Sequence, residues 1–204
     1  MENITIRWQR IAQICPQIAN FDHQELDRLR RLSPRQGSRF SRTRTYLRQV
    51  LGTYLQTHPQ SVKIAYTDSG KPFVVNNPVY FNLSHSGDLI VVALHDRYCL
   101  GIDLEQIKPR PFAHLIRRYF SLAEQQWFSR LNPADLGEQF YRSWVIKEAY
   151  SKLLEVRLPH TLAEFNTVPL LQGKPDSQAI TIAEIPAPIG YKCALAYRTL
   201  QLEG

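Results

Sequence analysis

At 204 residues, 44% of them hydrophobic, the chain can bury a proper core as one domain or two small lobes. It carries 25 lysines and arginines against 18 acids, a net charge of +7 that favours an anionic partner. No run has the apolar length of a membrane span or a signal-peptide core, and Cys15, Cys99 and Cys193 offer neither a disulfide framework nor zinc spacing; a cytoplasmic protein with three buried, apolar cysteines is the expectation.

The first fifty residues hold ten arginines and no lysine, most of them between Arg28 and Arg48. They lead into a helix whose apolar positions are Phe40, Leu47, Val50, Leu51 and Tyr54. Arg44 projects onto the middle of that face, so its guanidinium needs a buried carboxylate or a bound phosphate. Most of the other arginines read as a solvated helix face. Breaks follow at Asn76-Asn77-Pro78 and, near the midpoint, at Lys108-Pro109-Arg110-Pro111.

Between those breaks the run Leu89 to Leu94, the turn residues His95-Asp96-Arg97 and the run Tyr98 to Glu105 read as two strands of a hairpin. Asp103 and Glu105 then share one face, roughly 7 Å apart along the strand. Ile102 and Leu104 point the other way into a core, and Gly101 on the acid face leaves room for a ligand. Such acids suit a metal, or simply the solvated face of an edge strand.

Past the midpoint, Phe112 to Phe120 is amphipathic, with Arg117 and Arg118 beside Leu115 and Ile116. That stretch suits an acidic helical partner, and equally a helix whose apolar side is core. Ser121-Leu122-Ala123-Glu124 is a capping box at a helix start. From Glu138 to Glu155 nothing breaks a helix, and Trp144, Glu148 and Lys152 fall on one row, a turn apart. Glu148 and Lys152 could be an ordinary i,i+4 pair worth roughly a few tenths of a kcal/mol. Alternatively Glu148 adds a third acid to Asp103 and Glu105, an oxygen-rich set of the kind Mg²⁺ takes, with lysines facing phosphates. Strand-like Ala179 to Ala183 and Cys193 to Tyr197 end the chain, so the fold class is α+β.

Five segments in order carry a resemblance: Gly70-Lys71-Pro72, Phe81 to Gly87, Gly101 to Glu105, Phe120 to Glu124 and Trp144 to Lys152. Together they resemble a phosphopantetheinyl transferase of the surfactin-synthetase-activating type, over most of the chain from about Arg39 to Lys152. The resemblance implies movement of the 4′-phosphopantetheine arm of coenzyme A onto a serine of an acyl or peptidyl carrier protein, with release of 3′,5′-ADP. The carrier's pathway, whether fatty acid, polyketide or non-ribosomal peptide, stays open.

It also implies a monomer of two similar lobes, residues 1–107 and 108–204, forming a pseudo-dimer with the cofactor in the cleft. Asp103, Glu105 and Glu148 match its metal-binding acids, for Mg²⁺ or Mn²⁺. Glu148, Lys152 and Glu124 match its catalytic groups; Glu124 is one candidate base for the carrier serine, of lower rank, with Glu148 or a metal-bound water as the alternatives. Arg39, Arg44, Lys71, Pro72, Ser84, His85, Lys147 and Lys152 fall where coenzyme A is held, with Arg31 and Arg35 as looser candidates. The carrier would meet Phe112 to Phe120; neither nucleic acid nor membrane is an expected partner. Val145 and Ile146 depart from the family's small or polar residues, which bears on packing and not on the acids.

Two rival readings fit some of the same residues. A metal-dependent nuclease or phosphodiesterase could use the acids and lysines, but does not explain why Gly-Lys-Pro, Ser-His-Ser and the Trp-to-Lys helix occur together. A basic nucleic-acid-binding domain should interleave aromatics with its arginines, and only Phe40, Tyr46 and Tyr54 are nearby, two of them in the apolar pattern.

Overall fold

A computed structural model describes residues 3–77, 79–156, 163–174 and 180–199. In chain order the first half contributes β1 (Thr5–Arg10), α1 (His23–Arg30), α2 (Pro34–Tyr54), β2 (Ile64–Tyr66), β3 (Pro72–Val74), β4 (Tyr80–Ser86) and β5 (Leu89–His95). The second contributes β6 (Tyr98–Gln106), α3 (Phe112–Tyr119), α4 (Leu122–Phe128), α5 (Pro133–Leu154), α6 (Val168–Leu171), β7 (Thr181–Glu184) and β8 (Tyr191–Thr199). Two expected features, Pro78 in the first break and Ala179 before the penultimate strand, lie outside the described residues.

Each half lays one long helix on a three-stranded antiparallel sheet. The orders are β1-β5-β4 and β6-β8-β7, so in both sheets the last strand is central and the first and second flank it. This is the internal repeat that the sequence conceals. Leu47 and Leu51 of α2 pack on Phe81, Val92 and Leu94, while Val145, Ile146, Ala149 and Leu153 of α5 pack on Ala194 and Ala196. Between the sheets, Leu89, Val91 and Ala93 of β5 meet Leu100, Ile102 and Leu104 of β6 and Leu195 of β8. Both faces of β5 are therefore buried, which is why its sequence is an unbroken apolar run.

The expected hairpin of residues 89–94 with 98–105 does not form. Both edges of β5 are taken, by β1 and by β4, so Asp96 and Arg97 carry the chain across to the second sheet, where β6 pairs with β8. The hairpin partner of β5 is β4, joined through Gly87 at φ 54°. By sheet membership the halves divide at Asp96–Arg97, and the strand bearing Asp103 and Glu105 belongs to the second.

The helices start where local chemistry dictates. Ser33 caps α2 and Asn132 caps α5, each followed by a proline at the first helical position, and α5 begins five residues before the expected Glu138. Glu155 ends it in the left-handed region at φ 58°. Of the cysteines only Cys193 is buried; Cys15 is exposed and Cys99 partly so, against expectation. Among the described residues no helix is long and apolar enough to cross a membrane.

Candidate active site

The two halves are joined by a polar row on β4. Asn82, Ser84 and Ser86 alternate along one face and each reaches β6: Asn82 Oδ1 accepts from Ile102 N at 2.9 Å, Ser84 Oγ donates to Asp103 Oδ1 at 2.9 Å, and Ser86 Oγ donates to Glu105 Oε2 at 2.8 Å. The row thus orients both acids. Asn82 and Ser86 were not singled out from sequence; the signal was polar alternation in a strand whose other positions, Phe81 and Leu83, are apolar.

Ser84 and His85 are consecutive strand residues, so they point to opposite faces. His85 Nδ1 lies 3.2 Å from Arg39 Nη2 on α2. Although His85 keeps an open edge, burial and then the Arg39 guanidinium lower its pKa, and the ring is neutral near pH 7.

Gly101 makes room for α5 and not for a ligand. A Cβ there would lie 2.1 Å from the Ala149 carbonyl oxygen and 2.4 Å from Leu153 N. This close seat brings the Glu148 and Lys152 row of α5 over the acid face of β6. Lys152 Nζ donates to Asp103 Oδ1 at 2.7 Å, Ser84 Oγ at 3.1 Å and Ile102 O at 3.1 Å.

Asp103 is 4% exposed, and its Oδ2 is buried without a hydrogen-bond partner. Burial, then repulsion from Asp103 and Glu105 against the pull of Lys152, pushes Glu148 up to about 7. Burial also raises Glu105, against its bond from Ser86 and the Arg110 guanidinium 3.8 Å away. Crowded oxygens of this kind cost free energy unless a proton or a cation neutralises them, and an all-oxygen donor set suits a hard divalent cation. Among the described residues no three acidic, histidine or cysteine side chains are gathered tightly enough to hold a metal as they stand. Lys152 is the positive charge on Asp103, and Arg110 the one beside Glu105.

Opposite α5, the Ser69-Gly70-Lys71-Pro72 loop lines the same cleft as Glu148 and Lys152. Gly70 turns at φ 87°. Lys71 Nζ is drawn inward, donating to the carbonyls of Leu100 and Lys152 at 3.2 Å each and lying 3.6 Å from Glu155 Oε1; burial lowers its pKa.

Other residues expected at the cofactor or the reaction do not line this cleft. Arg44 is buried, its Nε 3.2 Å from Glu25 Oε1 and its Nη2 donating to Tyr66 Oη at 2.7 Å, so the partner it needed is a carboxylate. Arg48, which the sequence did not single out, binds the same Glu25 through Nε at 2.8 Å and Nη2 at 2.7 Å. Glu124 and Lys147 are both 0% exposed and paired at 2.9 Å, inside the core and away from the cleft. The glutamate keeps its capping box, accepting from Ser121 N and Oγ at 2.8 Å each. Arg31 and Arg35 are exposed. On α3 the apolar side is core: the Phe112 ring packs on Phe140 and Tyr141, and Ile116 and Phe120 are buried, leaving Arg117 and Arg118 on the open face.

Comparison with known proteins matches both halves. Residues 99–197 match the model of the 4′-phosphopantetheinyl transferase superfamily, and residues 7–97 that of 4′-phosphopantetheinyl transferase, N-terminal. The chain is similar to 4′-phosphopantetheinyl transferase HetI of Nostoc sp. (strain PCC 7120), 31% identical over 194 residues, 85% of this chain and 82% of that protein. It is 39% identical over 109 residues to 4′-phosphopantetheinyl transferase AcpT of Escherichia coli (strain K12), 52% of this chain and 56% of that one. To 4′-phosphopantetheinyl transferase psf-1 of Bacillus pumilus it is 41% identical over 99 residues, 48% and 41% of the two chains. The matched segments thus span about half the length of the last two relatives.

Proposed function

Because the chain belongs to the 4′-phosphopantetheinyl transferase superfamily, we propose that the cleft between β4, β6, α5 and the Lys71 loop is where it carries out that reaction. The enzyme transfers the 4′-phosphopantetheine group of coenzyme A to a serine of an acyl or peptidyl carrier protein, converting apo to holo carrier. In bond terms, the serine oxygen forms a bond to the phosphorus that carries pantetheine, and the hydroxyl proton is lost. The bond from that phosphorus to the bridging pyrophosphate oxygen breaks, and the oxygen leaves on adenosine 3′,5′-bisphosphate.

The observation that carries this reading is the convergence of Asp103, Glu105, Glu148 and Lys152 on one side of β6. Asp103, Glu105 and Glu148 would hold Mg²⁺ or Mn²⁺, and the unpartnered Asp103 Oδ2 is the atom that most needs such a partner. When bound, the cation would supply positive charge to the pyrophosphate oxygens. Lys152, 30% exposed at the cleft, meets the charge growing on the departing oxygen and can give it a proton. Arg39 and the neutral His85 offer donors to phosphate on the opposite face of β4, and Gly70, Lys71 and Pro72 flank the nucleotide. The carrier lands beside Arg117 and Arg118 on α3, a basic face suited to an acidic helix.

Intact-mass spectrometry of an apo acyl carrier protein and an apo peptidyl carrier domain, incubated with the protein, coenzyme A and Mg²⁺, tests the proposal. A mass gain of one phosphopantetheine, absent with Glu148→Gln, is expected. Folded protein that neither binds coenzyme A nor modifies either carrier would overturn it.

A further inference from the structure

Among the described residues Glu124 and Lys147 are the most deeply buried ion pair of the second half, each 0% exposed. Glu124 Oε1 accepts from Thr167 N at 3.0 Å and Thr167 Oγ1 at 2.6 Å; Oε2 accepts from Ser121 N, Ser121 Oγ and Lys147 Nζ. Every lone-pair direction of the carboxylate is occupied, and no surface of the residue meets solvent. A base for the carrier serine must come within hydrogen-bond reach of its hydroxyl, and this carboxylate has neither a free site nor a path to one.

Lys147 in turn bonds the Phe165 carbonyl and lies 5.1 Å from the Phe120 ring centroid. One turn earlier on the same helix row Ser143 bonds Thr167, and one turn later Tyr150 stacks on Phe165 at 4.2 Å. On the other side of Glu148, Ala149 is locked against Gly101 by backbone contact with β6. Glu148 therefore sits between two immobilised neighbours that anchor the helix in different directions, which sets the rotation of α5 about its axis.

The first half contains the same device with no acids to position. Glu25 is the third residue of α1 in a capping box with Asp22, as Glu124 is the third residue of α4 in a capping box with Ser121. Glu25 binds Arg48 of α2, and Glu124 binds Lys147 of α5. Arg48 and Lys147 lie the same number of residues after the first-turn prolines, Pro34 and Pro133. A short-helix glutamate pinning a long helix at one equivalent position is thus a property of the repeated unit.

We infer that Glu124, through Lys147 and Thr167, is a positioning residue that holds Glu148 and Lys152 of α5 in register with Asp103, and is not the base of the reaction. The inference rests on the proposed function, since it concerns the geometry of that same cleft.

The test compares wild type with Glu124→Gln, with the double variant Glu124→Gln/Lys147→Met, which removes both buried charges, and with the milder Thr167→Val. Four quantities are read: Mn²⁺ binding by electron paramagnetic resonance, kcat, KM for coenzyme A, and the pH profile of kcat. The expected result is Mn²⁺ binding and kcat both weakened about 10- to 100-fold in the folded double variant, a scale typical of lost ligand support. A smaller loss of the same pattern is expected in Thr167→Val, with KM for coenzyme A and the shape of the pH profile unchanged throughout. Loss of the rising limb of the profile in Glu124→Gln with Mn²⁺ binding intact would make Glu124 the base and overturn the inference. Wild-type Mn²⁺ binding and kcat in the double variant would overturn it as well, and Thr167→Val decides the matter where the double variant does not fold. If wild type itself neither binds Mn²⁺ nor transfers phosphopantetheine, it is the proposed function that fails.

Discussion

The two halves use one architecture for opposite electrostatic purposes. In the first, the buried acid Glu25 is surrounded by cations of the long helix, Arg44 and Arg48, and Arg48 also donates to Asp22 and to the carbonyls of Pro59 and Val62. In the second, the same pinning pair is present as Glu124 and Lys147, but the next residue of the helix is Glu148, pressed toward Asp103 and Glu105 with Lys152 as counter-charge. At the corresponding place after the first-turn proline, α2 carries the neutral Gln49. In the first half acid and cations are paired, although Glu25 Oε1 and Arg44 Nη1 are buried without a hydrogen-bond partner; in the second, three acids share the charge of Lys152, and Asp103 Oδ2 has no hydrogen-bond partner.

The sharpest way to break that comparison is to remove the acid that the two guanidiniums share. Glu25→Gln leaves two buried guanidiniums without their shared carboxylate and is expected to cost about 3–5 kcal/mol in urea unfolding, with transfer per folded molecule unchanged. Unfolding free energy within error of wild type would mean that the first-half cluster is not what holds α2. Next in size is Gly101→Ala, which thrusts a Cβ at the backbone of α5. About 3 kcal/mol of stability should be lost, along with the register of Glu148 against Asp103, so that transfer falls in the fraction that remains folded.

A smaller effect follows from Glu148, whose carboxyl is raised from 4.5 to about 7 in the folded protein. The folded state holds that proton more tightly than the unfolded chain does, so its contribution is fully present below pH 4.5 and is lost as pH rises through 7. The loss is about 2 kcal/mol after allowance for solvent screening. Unfolding curves at pH 5 and pH 8 should therefore differ less in Glu148→Gln than in wild type, and Mg²⁺ should restore stability to wild type at pH 8 and not to the variant. Last, reversing Arg117 and Arg118 to Glu should raise KM for the carrier about tenfold, equivalent to ~1.4 kcal/mol, and leave KM for coenzyme A alone. An equal rise for both substrates would remove α3 from the carrier surface.

Much of this comparison could be read from local sequence. The capping box of Ser121 and Glu124, the α2 and α5 helices, the alternation that puts Asp103 and Glu105 on one face, and the i,i+4 row of Glu148 and Lys152 depend on neighbours within a few residues, whereas the matching box of Asp22 and Glu25 was not read there. The partners did not. Arg44 was open between a carboxylate and a phosphate, because nothing local says that Glu25 will be folded against it. Gly101 has the same sequence whether a ligand or a helix fills the space beside it, and only the packing of α5 decided for the helix. Glu124 and Lys147 carry reactive groups and stand in the motifs of the family, yet burial and five donors consume the carboxylate.

The sequence alone therefore determined the two long helices, the acid face of β6, the Glu148 and Lys152 row of α5 and the resemblance to the family, because each is written in spacing or in an ordered series of short motifs. The tertiary structure alone decided that β5 pairs with β4 and not with β6, which strands and helix make up each of the two similar lobes that the resemblance implied, and which charged residues face the cleft. Those outcomes rest on contacts between residues tens of positions apart. The free energy of such a contact depends on burial and on the partner's presence, neither of which is a property of the residue itself.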